Sequence, residues 1–102
     1  MGFFDRLKDF GDREWVRTSA MKIDVGIKQI EEAHSSSEIL GLSYAVKEEV
    51  ENMLLLASKL THESLSCLDV KFQGKKINFF LFVEILHEMS DKIVKRGGIA
   101  II

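Results

Sequence analysis

Residues 36–65 read SSEILGLSYAVKEEVENMLLLASKLTHESL, and this stretch decides the fold. Ile39, Leu42, Val46, Val50, Met53, Ala57, Leu60 and Ser64 recur at spacings of three and four. That is the period of one helix face. Glu48, Glu51, Lys59 and His62 lie off the face, and Glu49 and Glu63 flank it. The spacing predicts one long helix over about 36–65, longer than most helices of globular proteins. Such a seam suits coiled-coil-like contacts within the domain or between subunits. Leu54, Leu55 and Leu56 add apolar residues nearly all round at mid-length, and a helix of that kind wants partners on every side.

Upstream, Val16, Ala20, Ile23, Ile27 and Ile30 form a second stripe, predicting a helix over about 12–33. Gly26 lies inside it, either to let another helix approach closely or as a neutral flaw. His34-Ser35-Ser36-Ser37 separates the two stripes. Ser35 and Glu38 have capping-box spacing. The apolar faces on either side differ by about 120° at the helical advance per residue. A tight turn between antiparallel helices accounts for that shift, and one long bent helix is the alternative. Before this, Phe3, Leu7 and Phe10 share a face of a short amphipathic segment that Gly11 and Asp12 divide from the next helix.

Downstream the period changes to two. Leu68, Val70 and Phe72 alternate with polar residues, and after Gly74 so do Ile77, Phe79 and Leu81. A two-residue turn at Gln73-Gly74 pairs Phe72 with Lys75, Val70 with Ile77 and Leu68 with Phe79, with the apolar residues on one side. This predicts a β-hairpin near residues 68–81; the alternative is a loop at 71–76 and a helix from near Ile77. Phe82, Leu86, Met89 and Ile93 mark a last helix, ended by Gly97-Gly98. The tail Ile99-Ala100-Ile101-Ile102 is apolar and docks on the core, beside the hairpin or on a partner. The expected fold is mainly α: a small helical bundle of three main helices, a short N-terminal amphipathic helix and the hairpin, all in one domain over residues 1–102.

Composition narrows the function classes. The chain has 102 residues, enough for one core, and a formal net charge of −2 with its cations scattered, so no nucleic-acid partner is expected. The single cysteine, Cys67, excludes an internal disulfide, and no apolar run is long enough to span a membrane. A cytoplasmic protein is expected.

Two Glu-x-x-His matches, Glu31/His34 and Glu84/His87, are the sharpest chemical candidates. In four-helix bundles, paired motifs of this kind with added carboxylates hold two metal ions. That arrangement needs every ligand in one core, whereas Glu84 and His87 fall on the far side from Phe82, Leu86, Met89 and Ile93. His34 and His62 lack the lysine and glycine that follow a phosphotransfer histidine. No nucleophile elbow or phosphate loop is present. No catalytic residue and no cofactor are expected, and an interaction role is favoured over catalysis.

The opening Met1-Gly2-Phe3-Phe4-Asp5-Arg6-Leu7 resembles the start of the membrane-stress proteins of the phage-shock family. The resemblance covers about ten residues and implies a first helix lying on lipid. The rest of the chain is too short and too varied in period for that family's long helical hairpin. Physically, Phe3, Phe4, Leu7 and Phe10 either cap the bundle core, the favoured reading, or enter a lipid interface while Arg6 and Lys8 meet anionic head groups. The sequence thus points to a small binding or assembly module, most simply a homodimer, with another protein as the other partner. Leu54, Leu55, Ile99, Ile101 and Ile102 are its candidate contacts. A peripheral membrane-surface protein is the second reading, and a di-metal carboxylate bundle the third.

Overall fold

The computed structural model describes residues 2–102, with all their side chains except those of residues 3–5. Its elements are α1 (Phe3–Glu32), α2 (Ser36–Ala57), α3 (His62–Ser66), β1 (Asp69–Phe72), β2 (Lys75–Asn78) and α4 (Phe79–Lys95). The protein is mainly helical, with one two-stranded antiparallel hairpin.

The first two stripes pack face to face. Val16, Ala20, Ile23, Ile27 and Ile30 of α1 are buried, as are Ile39, Val46, Val50, Met53 and Ala57 of α2. The Asn52 amide donates to buried Ser19 Oγ at 3.1 Å, tying the two helices together on one flank. A tight turn joins them, and the long bent helix does not form. Ser35 is the N-cap of α2: its Oγ accepts from Glu38 N at 3.2 Å, while the Glu38 carboxylate accepts from His34 N at 3.4 Å.

Three boundaries differ from the sequence reading. The short N-terminal helix and the first main helix are one, since α1 runs unbroken through Gly11 and Asp12. One glycine costs about 1 kcal/mol in a helix. Tertiary anchors on both sides of Gly11 oppose a break: Ser64 Oγ donates to the Asp9 carboxylate at 3.1 Å, and Arg13 donates to the Cys67 carbonyl at 3.4 Å. The long helix, by contrast, is divided. It stops at Ala57, Leu60 is buried in the following turn, and Thr61 caps α3 by accepting from Ser64 N at 3.0 Å. Thr61 supplies the start signal that the apolar spacing hid.

The third difference is in the hairpin. Its register is the expected one, with Val70 opposite Ile77 and Phe72 opposite Lys75. Gln73 and Gly74 both have positive φ, 51° and 79°, the backbone of a tight two-residue turn. However, β2 ends at Asn78 rather than near Leu81. Asn78 Oδ1 accepts from Phe80 N at 2.9 Å and Nδ2 donates to the Ser66 carbonyl at 2.8 Å, so one side chain caps α4 and anchors it. Phe79, Phe82, Leu86 and Ile93 are then buried on the inner face of α4, while Leu81 is exposed.

The hairpin lies along one flank of α1. Arg17 Nε donates to the Asp69 carbonyl at 3.1 Å and the Asp24 carboxylate accepts from Gln73 N at 3.2 Å. Beyond α4, Gly97 N and Gly98 N bond the Val94 and Ile93 carbonyls, closing the helix end. Residues 99–102 then return to the core. Ile99 N donates to Ser43 Oγ at 3.0 Å and Ile101 N to Ser90 Oγ at 2.8 Å, and the Ile101 side chain has 0% exposure.

Candidate functional site

The residues proposed from sequence fall in different places. Leu55 is 65% exposed on the outer side of α2, with Leu54 at 37% beside it. Ile101 is inside the fold and presents no surface to a partner; Ile99 and Ile102 are half-buried beside it. Of the tail's three candidate docking places, its own core is the one occupied.

The N-terminal group corrects one expectation. Leu7 and Phe10 do not cap the core but stand exposed, at 52% and 61%. The Phe3 and Phe4 side chains lie outside the described residues. The first turns of α1 also outreach α2. Asn52 meets Ser19, so the two helices run antiparallel, and α2 ends only five residues later at Ala57. Residues before about 13 therefore extend beyond it, with α3 on one side through the Asp9–Ser64 contact.

The paired metal-ligand motifs do not assemble. Glu31 is exposed on α1, where it accepts from Gln73 Nε2 at 3.4 Å. His34 is exposed in the α1–α2 turn, and Glu84 and His87 are exposed on α4. Among the described residues, no three or more histidine, cysteine, aspartate or glutamate side chains gather to hold a metal ion. His62 stacks on the Phe80 ring at 5.0 Å between centroids, a packing role at the start of α3. No helix of the described residues is long and apolar enough to cross a membrane.

The main surface feature was missed in the sequence. On α1, Met21 and Val25 are exposed as fully as Leu7 and Phe10, at 60% and 58%. At about 100° per residue, all four lie on the side opposite Val16, Ala20, Ile23 and Ile27. α1 is thus apolar on two opposite sides: one is the core, and the other faces outward. The signal was present in the four-residue step from Met21 to Val25, but the stronger inner stripe conceals it. Between the apolar pairs, Glu14 and Arg17 form an ion pair on the same outer side.

α2 has a lesser feature of the same kind, with Leu40, Tyr44 and Leu55 exposed and Glu48 and Glu51 between them. What these surfaces can do chemically is bury apolar area against another surface. No protein-family model, curated protein or solved structure matches this chain.

Proposed function

We propose that this protein is a non-enzymatic assembly module that works through helix–helix contacts and associates with itself. The observation that carries the reading is the outward apolar side of α1. Four large side chains are each more than half exposed there, on a helix whose opposite side is already buried. Scattered exposed apolar residues are ordinary in proteins. A row of them at helical spacing is what a helix–helix contact uses. Light scattering across a concentration series tests this: the mass rises above the 11.6 kDa of one chain at high micromolar concentration. A mass that stays at one chain overturns it.

A second reading rests on the end of α1. Leu7 and Phe10 stand exposed where the helix outreaches α2, and Arg6 and Lys8 are exposed beside them. An amphipathic helix end of this composition suits an anionic lipid interface. Sedimentation with anionic vesicles, lost on replacing Leu7 and Phe10 with serine, supports it. No sedimentation with the wild type rules it out.

A further inference from the structure

The outer ridge of α1 has an order that selects its partner. Leu7, Phe10, Glu14, Arg17, Met21 and Val25 follow at steps of three, four, three, four and four. The ridge therefore reads as two apolar residues, an acid, a base, and two apolar residues. Another helix laid antiparallel on it, about a two-fold axis between residues 15 and 16, sets Phe10 against Met21 and Glu14 against Arg17, and brings Leu7 within one residue of Val25. The two directly opposed pairs, Phe10 with Met21 and Glu14 with Arg17, are complementary, and the two-fold makes each contact occur twice. A parallel arrangement would oppose Glu14 to Glu14 and Arg17 to Arg17. We infer that a second copy of this chain docks on the outer ridge of α1, antiparallel and in this register. The inference rests on the self-association reading and specifies its surface.

The charged pair at the centre is already positioned. Arg17 is held by the Asp69 carbonyl of β1 and by its ion pair with Glu14. A second copy completes a four-charge ring without moving either side chain far. The outer side of α2 is a poorer seat for the same operation. An antiparallel pairing that sets Tyr44 on Leu55 also sets Glu48 on Glu51, twice, bringing four carboxylates together at the centre of the contact. Leu55, the contact expected from sequence, is therefore not the contact in this dimer.

Cross-linking tests the register. With Cys67 replaced by serine, Phe10→Cys and Met21→Cys chains are treated with a short thiol-specific cross-linker, separately and mixed. In the proposed register, position 10 meets position 21 of the other copy. Two copies of position 10 lie 11 residues apart along the axis, about 16 Å. The mixture is expected to cross-link about tenfold or more faster than either chain alone. Equal rates in all three samples overturn the register. In parallel, Phe10→Glu, at an exposed position that the fold does not need, is expected to weaken association about tenfold or more, while Leu55→Glu leaves it unchanged. A wild type that stays monomeric overturns self-association altogether. A dimer that persists in Phe10→Glu overturns only its placement on α1.

Discussion

Gly26 of α1 and Val46 of α2 approach so closely that a β-carbon built on Gly26 would stand 2.5 Å from Val46 Cγ2. The glycine inside the first stripe is thus a point of close approach between the two long helices. Val46 is buried and β-branched, so it has little freedom to turn aside. Gly26→Ala would ordinarily stabilise a helix by about 1 kcal/mol. Here it is expected to destabilise by about 1–2 kcal/mol, since overpacking outweighs propensity. In a Val46→Ala background the same change becomes neutral or stabilising. Urea denaturation of the four chains in a double-mutant cycle checks it.

Arg96 closes the far end of α1. Its guanidinium donates to the Ile30 carbonyl at 2.9 Å and to the Ala33 carbonyl at 3.2 Å. Both lie at a helix C-terminus, where carbonyls lose their helical partners and a cation is favoured by the dipole, although the Ile30 carbonyl also accepts from Ala33 N at 3.2 Å. Arg96→Ala is expected to cost about 1.5–3 kcal/mol, the range for hydrogen bonds to a charged group. Arg96→Lys recovers about half at most, because an ammonium lacks the planar fork that reaches both carbonyls. Equal melting curves for the arginine and lysine forms would show that charge alone matters.

The start of α2 gives a local test. Ser35→Ala removes the acceptor of the Glu38 amide and is expected to cost about 1 kcal/mol. Ser35→Asp keeps an acceptor and stays near the wild-type midpoint. Thermal melts resolve the difference, since 1 kcal/mol corresponds to about 4–8 °C in a domain of this size.

At the hairpin tip, Gln73 adopts a left-handed φ of 51° that asparagine accepts more readily than glutamine. Gln73→Asn makes the turn Asn-Gly, the favoured pair for this geometry, and is expected to stabilise by about 0.5 kcal/mol. Gly74→Ala should lose about 1–2 kcal/mol, the cost of a β-carbon in that region. Failure of the asparagine to raise the midpoint would mean that Gln73 contributes through its Glu31 contact instead.

Long uninterrupted stripes were legible in the sequence because many turns report the same face. Val16 to Ile30 and, apart from half-buried Leu42, Ile39 to Ala57 are buried as their spacing predicts. Short windows were not. Ile77, Phe79 and Leu81 alternate like a strand, yet Phe79, Phe82 and Leu86 step like a helix, and only the Asn78 cap decides between them. Leu60 keeps the helical spacing without being helical, since a buried residue in a turn can sit where the next helical one would. Arg96 was legible as a cation suited to the end of its own helix, whereas its hydrogen bonds reach the end of α1. Position along a chain does not reveal a contact 66 residues away.

The closure of the core by Ile101 has a consequence for the order of events during synthesis. The two longest helices, α1 and α2, are complete by residue 57, but the serines that receive the tail, Ser43 and Ser90, accept its amides only when residues 99 and 101 have been made. At roughly 5–20 residues per second, that interval is about 2–9 s. Throughout it, the nascent chain holds a helical hairpin whose inner apolar side lacks α4 and the tail. Two such chains on neighbouring ribosomes would each expose that inner side of the helical hairpin together with the outer side of α1. The inner side is later covered by the chain's own C-terminal residues, while the outer side stays exposed. Translation itself therefore sorts a transient exposure from a lasting one.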